Sequence, residues 1–301
     1  MSERPPERRS RLRAAMVAGV AGPIAAALLA GCGASPTPPA PKASPTPGAR
    51  HLAWMLTTAA LRELGGMAQL RPWLRGDRLY VVLPATAHRA SVGSGAIATV
   101  SYPSFLTLAS AVAAGSLPQH LKAVVFDPER WSFTPAPEQA ALPAYESRFV
   151  RLARAHGLLP ILAPAQDLVR SLDPTAPSQG QGYLDLHLAR SAASALRSGP
   201  GAVELQTQSL ERSPRAYLAF VRSAVAQIRR ISPQVEVLAG LSTNPPGAPV
   251  TLAQLRSDVT LTRGLVVGYW LNVPLPGPFC PTCAPADPGL GTALLKGLAP
   301  G

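Results

Sequence analysis

The feature that most narrows the fold of this chain is an alternation of short apolar runs with longer stretches of helical spacing. From His51 onward the runs fall at 79–83, 96–100, 123–126, 159–162, 202–207, 235–241 and 264–271. Strands that are apolar on both faces must be covered on both faces, so the pattern predicts a parallel sheet wrapped by helices rather than a half-wet antiparallel one. Seven such runs, with one more strand not visible in the pattern, fit an α/β chain folded as a parallel (β/α) barrel, complete or one strand short. The alternative is an open doubly wound sheet, which usually places a glycine-rich turn after its first strand. Leu83-Pro84-Ala85-Thr86 is no such turn.

The intervening stretches carry helix punctuation. Tyr145, Phe149 and Leu152 form an i, i+4, i+7 stripe that Gly157 is placed to terminate. Leu184, Leu188, Ala192 and Ala195 predict a second buried stripe. Ser213-Pro214 reads as an N-cap followed by proline at the first helical position, and Thr251 with Gln254 as a capping box.

Residues 1–31 do not belong to that fold. Arginines at 4, 8, 9, 11 and 13 precede a small-residue apolar run from Ala14 to Ala30, the charged and apolar regions of an export signal. Leu29-Ala30-Gly31-Cys32 resembles the lipobox of bacterial prolipoproteins. The resemblance implies diacylglyceryl modification of Cys32, cleavage before it, and anchorage at the outer face of the bacterial cytoplasmic membrane or within the cell envelope. Arg8-Arg9 is similar to a twin-arginine signal, but Arg11 stands where that motif has an apolar residue. Residues 32–50 are a Pro/Ser/Thr/Ala tether, expected to be extended at about 3.1 Å per residue. Residues 51–301 are then the barrel domain. Once Cys32 is acylated, Cys280 and Cys283 are the remaining thiols, and an exported compartment favours a disulfide between them.

The formal charge is +12, carried by 28 Lys and Arg against 16 Asp and Glu. Arg215, Arg222 and Arg229 lie opposite Leu218, Val221, Val225 and Ile228 at helical spacing, which marks a solvated helix face. No basic tract is interleaved with aromatics, so no nucleic-acid partner is expected. Neither a nucleotide-binding turn nor metal-ligand spacing is present, so no cofactor and no metal are expected.

In a parallel barrel, chemistry sits at the C-terminal ends of the strands. The polar residues there are Tyr102; Asp127, Glu129 and Trp131; Gln166 and Asp167; Gln206 and Gln208; Ser242, Thr243 and Asn244; Trp270 and Asn272. Asp127 and Glu129 are two residues apart and project to one side of an extended chain. Like charges that close raise one pKa, giving a neutral acid beside an ionised partner, the pair that glycoside hydrolysis uses. Trp131 and Trp270 offer flat apolar platforms, while Gln206, Gln208, Asn244 and Asn272 offer amides for hydroxyl groups. The plainer reading has Asp127-Pro128 turning the chain out of the strand, with Glu129 paired to an arginine.

A strand ending in Asp-x-Glu resembles barrel glycosidases of the chitinase-like and lysozyme-type families, which act on N-acetylhexosamine polymers. It implies Glu129 as general acid and Asp127 as its electrostatic partner. The chitinase-like motif has further aspartates upstream, where this chain has Val125 and Lys122. FDPERW, LQTQSL, GLSTNPPG and GYWLNVP together resemble an uncharacterised family of secreted TIM-barrel proteins over residues 78–283. The expected function is therefore that of an envelope-anchored, glycoside-hydrolase-like barrel acting on cell-wall glycan. The alternative is a non-catalytic glycan-binding or structural envelope lipoprotein.

Overall fold

The computed structural model describes residues 51–87, 92–177, 180–245, 248–274, 276 and 285–299. Cys32, Cys280 and Cys283, with the expected leader and tether, lie outside the described residues. Eight strands form a closed parallel barrel in chain order: β1 (Ala53–Thr57), β2 (Arg78–Leu83), β3 (Ala96–Tyr102), β4 (Ala123–Phe126), β5 (Leu159–Leu162), β6 (Ala202–Leu205), β7 (Glu236–Ser242) and β8 (Gly268–Asn272). The helices are α1 (Thr58–Glu63), α2 (Gly66–Leu70), α3 (Phe105–Ala113), α4 (Ala136–Ala140), α5 (Leu142–Ala155), α6 (Val169–Leu172), α7 (Gly180–Asp185), α8 (Leu188–Leu196), α9 (Pro214–Ile231), α10 (Leu252–Thr262) and α11 (Pro288–Leu298). None of them is long and apolar enough to cross a membrane.

The strand that the pattern hid is β1, AWMLT. Its apolar run passes into α1 without a glycine or proline, and Thr57 both ends the strand and caps the helix, its Oγ1 accepting from the Ala60 N–H at 3.0 Å. β6 stops at Leu205, two residues early, and β8 begins at Gly268, four residues late. Residues 265–267 belong instead to the turn after α10, where the Leu265 and Val266 N–H groups both donate to the Thr262 carbonyl.

Alternation sorts the strand residues into two layers. Ala53, Met55, Tyr80, Val82, Ala123, Val125, Ile161, Ala202, Leu238 and Trp270 pack together inside the barrel. Their neighbours in sequence, among them Trp54, Val81, Val124, Leu205 and Leu271, join the larger core beneath the helices. α5 ends as expected, with Gly157 in the left-handed region, but the residues it buries are Leu142, Glu146, Phe149, Val150 and Ala153. The stripe from Leu184 to Ala195 is divided between α7 and α8 by His187 in a left-handed conformation. The Thr251–Gln254 capping box forms in both directions. Ser213 occupies the N-cap of α9 without a side-chain bond, while Arg215, Arg222 and Arg229 face solvent and Tyr217, Val221, Val225 and Ile228 are buried.

The barrel closes where β8 pairs with β1, with Ala53 opposite Gly268. A side chain on Gly268 would overlap the backbone of Ala53, which has no room to move inside a hydrogen-bonded ladder. Asp77 fixes the same strand from its other side, accepting from the Leu52 N–H at 2.8 Å and the Trp54 indole at 3.0 Å. We predict that Gly268→Ala destabilises the protein by about 3 kcal/mol or more, the upper end of overpacking costs. Urea unfolding monitored by circular dichroism measures this, and a midpoint equal to that of the unchanged chain would contradict it.

Candidate functional site

The short strand β4 delivers Asp127 to the mouth of the barrel, one residue past the end of its regular ladder. Hydrogen bonding to both neighbours nevertheless continues: the Asp127 N–H donates to the Tyr102 carbonyl, and the Ala165 N–H donates to the Pro128 carbonyl. The acidic pair thus stands on a backbone anchored to β3 on one side and to the segment after β5 on the other. Beyond it, Thr134 holds the loop, its hydroxyl donating to the Pro103 carbonyl at 2.7 Å and accepting from the Glu129 N–H at 3.2 Å and the Trp131 indole at 2.9 Å. Gln139 reinforces this by donating to the Trp131 and Thr134 carbonyls. The proline that follows Asp127 therefore leads into an ordered platform, and Glu129 is in no ion pair with an arginine among the described contacts.

Asp127 is half-buried and accepts two side-chain bonds, from the Gln206 amide at 2.8 Å and the Ser101 hydroxyl at 3.2 Å. Gln206 also donates to the Ala163 carbonyl at 3.2 Å, and its own carbonyl accepts from the Gln166 amide at 2.5 Å. β3, β4, β5 and β6 are linked through this one network. Gln208 leaves the strand in a single helical turn, yet its amide lies over Gly240, where a Cβ would collide with it. Glycine on β7 is what lets that amide reach inward.

Burial dominates the electrostatics. It pushes the Asp127 carboxyl up to about 6, against the lowering effect of the Ser101 and Gln206 bonds and with a further rise from Asp167. Glu129 is pushed up to about 8, by burial first and then by Asp127 and Asp167. Asp167 is itself raised by burial and accepts from the Arg130 N–H at 3.0 Å. Between about pH 6 and 8 the pair therefore holds a neutral Glu129 beside an ionised Asp127, the separation of roles on which acid catalysis by two carboxylates depends.

A third carboxylate lies beneath them. Glu204 faces the barrel interior from β6, is fully buried, and neither of its oxygens has a partner among the described residues. Burial holds it well above the ordinary range, with further rises from Asp127 and Glu129. Glu146 and Asp258, also fully enclosed, are pushed up to about 8 by burial. The chain thus places many of its few carboxylates inside.

The other expected site residues are distributed as follows. Trp131 is half-buried and meets Phe133 edge-on at 5.2 Å. Trp270 is 7% exposed and packs inside the barrel, one inward position below Asn272, with no partner for its indole N–H among the described residues. Asn272 ends β8 opposite Ser242, and its carbonyl accepts from the Thr243 N–H. Asn244 turns elsewhere, its N–H donating to the Ser242 hydroxyl and its amide to the Pro285 carbonyl at 3.5 Å. Tyr102 packs outward under the helices, so the β3 residue at the mouth is Ser101. Two-residue parity counted back from Gln206 would have found Glu204, whereas Ser101 has the opposite parity to Tyr102 and is found only from the register of β3. Two cavities of about 300 and 340 Å³ open elsewhere, one at the N-terminal ends of the strands and one between α5 and α8. Hydrogen bonding and charge, rather than cavity volume, single out the mouth. Among the described residues no cluster of His, Cys, Asp and Glu has the geometry to hold a metal.

No known family model matches the chain, and no curated protein matches it in sequence. Among solved structures, a chitinase from Chromobacterium violaceum is similar over 83% of this chain and 100% of its own, at 13% identity and a TM-score of 0.46. A Brucella melitensis HMG-CoA lyase is similar over 83% and 96%, at 16% identity and 0.47. The spore cortex-lytic enzyme SleL of Bacillus megaterium is similar over 75% and 71%, at 11% identity and 0.44. None of these likenesses assigns an activity.

The buried carboxyls make stability depend on pH. Each has a folded pKa above its unfolded value, so its contribution is complete below about pH 4.5 and is lost as pH rises through the folded value, near 8 for Glu146 and Asp258. We predict a lower Tm at pH 8 than at pH 5. Glu204→Met, which keeps the volume and removes the charge, should stabilise the fold by about 1–3 kcal/mol at pH 8 and by less at pH 5. Calorimetry at the two pH values checks both, and a Tm that rises from pH 5 to pH 8 would refute the assignment.

Proposed function

We propose that this protein is an envelope lipoprotein whose barrel mouth acts on a cell-wall or N-acetylhexosamine-type glycan, with Glu129 as general acid and Asp127 as the carboxylate that stabilises positive charge. The observation that carries this reading is the Asp127–Glu129 pair itself: one carboxyl fixed by Ser101 and Gln206, the other raised by burial to about 8 beside it. In glycoside hydrolysis the acid protonates the leaving oxygen while a carboxylate faces the oxocarbenium-like transition state. Glu129 has the proton to give at neutral pH. Asp127, ionised and held by two donors, is in place for the second task. Gln208, Asn272 and Trp131 supply amide and aromatic surface around the pair.

General acid catalysis is worth about 10² to 10⁴-fold, so Glu129→Gln should lower the release of reducing ends from purified cell wall or chitin-type oligosaccharides by that factor. The rate should rise through about pH 6 as Asp127 ionises and fall through about pH 8 as Glu129 loses its proton. Undiminished cleavage by Glu129→Gln would remove Glu129 from the mechanism. The second reading, glycan binding without cleavage, uses the same mouth, where the Gln208 amide lies inward over Gly240 whether or not Glu129 transfers a proton. Retention of the same oligosaccharides by the unchanged chain, with no new reducing ends, would select it.

The lipobox supports acylation at Cys32, and the Pro-rich residues after it support a tether; several acyl chains give stable anchorage where one is marginal. Cys280 and Cys283 form a disulfide in this reading, because export places the remaining thiols in an oxidising compartment. Intact-mass analysis of the exported chain should find an acylated N-terminal Cys32 and a 280–283 segment lighter by two hydrogens. Cys32→Ala should abolish the acylated species, and an uncleaved, unacylated chain with three free thiols would overturn both assignments.

A further inference from the structure

Every connection that returns the chain from a helix to the next strand lies at the N-terminal face of the barrel, opposite the mouth. These connections are rich in cations. Arg75 precedes β2, Lys122 β4, Arg197 β6, Arg229 and Arg230 β7, and Arg263 β8, all six exposed. The acids of these connections are engaged: Glu63 lies 3.6 Å from Arg62, Glu236 pairs with Arg78 at 2.9 Å, and Asp77 accepts from the Leu52 N–H and the Trp54 indole. The mouth carries both signs, with Asp127, Asp167 and Asp287 beside Arg130, Arg170, Arg212 and Arg215 among the described residues, while burial holds Glu129 and Glu211 above their ordinary range. Complementing helix macrodipoles accounts for cations in the last turns of helices. It does not account for Lys122, which follows a non-helical stretch, or for Arg75, which lies in the turn before β2.

β1 starts at Ala53 on this basic face, so the chain that precedes it joins the barrel there. A cavity of about 300 Å³, lined by His51, Leu52, Arg78, Arg263, Val266 and Val267, opens beside that point. We propose that the N-terminal face of the barrel docks electrostatically on an anionic lipid surface, so that the mouth with Asp127 and Glu129 points away from the membrane. The proposal rests on the reading of the N-terminal segment as a membrane anchor. Attachment brings the face within reach of the headgroups, and the cations on it turn a loose tether into a defined orientation. Screening confines the attraction to about 8 Å at physiological salt, so the face must lie against the bilayer for it to act.

The test uses the full chain incorporated in vesicles of phosphatidylglycerol or of phosphatidylcholine, read by hydrogen exchange in the connections 114–122, 197–201 and 229–235. Flotation with the vesicles reports anchorage separately, so loss of anchoring and loss of docking are distinguishable. On phosphatidylglycerol these connections should exchange several-fold more slowly than on phosphatidylcholine, and the difference should vanish at high salt. Lys122→Glu/Arg197→Glu/Arg230→Glu should abolish the protection, each cation being worth about fivefold in surface affinity. The corresponding glutamine variant, gentler on the helix ends, should weaken it. Arg170→Glu/Arg215→Glu, toward the mouth, should leave it intact. Equal exchange on the two lipids would overturn the proposal. So would equal protection by a soluble glycerol-phosphate polymer at matched phosphate, which would assign the face to an anionic wall polymer instead.

Discussion

The structure depends on one close approach. β8 meets β1 through Gly268, whose missing side chain leaves space that the backbone of Ala53 occupies. A parallel sheet that fails to close keeps two raw edges, and the mouth exists only because eight strand ends are held in a ring. Trp54 and Tyr269, tilted against each other at 5.6 Å on the outer side of the same seam, extend the contact into the helix layer. The smallest residue and two of the largest thus share one junction. Closure is what brings Asn272 to the same mouth as residues of β3, β4 and β6.

The barrel interior is where stability and chemistry meet. An interior filled by Met55, Val82, Val125 and Leu238 is apolar, and a carboxyl placed above or within it is held neutral unless hydrogen bonds compensate. Asp127 has such bonds and stays nearest to the ordinary range; the Glu129 and Glu204 carboxyls accept none among the described residues, and are raised further. The same desolvation that keeps Glu129 protonated at neutral pH makes Glu204 a cost to the folded state as pH rises. Replacing the interior carboxyl would relieve that cost, in keeping with the general conflict between a stable interior and a reactive site.

Charge is also divided between the ends of the barrel. Asp127 and Glu129 sit half-buried just past a strand C-terminus, and the return connections carry exposed cations. Strand direction alone enforces that separation, because in a parallel barrel every connection of one kind lies at one end. The two ends of the barrel can therefore change independently.

Some of this is legible in residues alone. Continuous apolar runs identify seven strands, because a strand buried on both faces has no polar position to interrupt it. Glycine and proline punctuation and the Thr251–Gln254 capping box are local, so they survive into the fold unchanged. The AVVF run followed by two carboxylates marks the strand end at Asp127 for the same reason. What the chain by itself leaves open is which residues meet. β1 was hidden because its run flows into a helix, and only pairing with both β2 and β8 makes it a strand. Ser101 and Glu204 went unnoticed because parity relative to the barrel interior is set by register with neighbouring strands. The Gln206–Asp127 bond joins residues 79 positions apart, and Gln208 reaches inward only over a glycine on another strand. Local preference and hydrophobic period act within a turn or a strand; long-range contact and desolvation exist only once the barrel has closed.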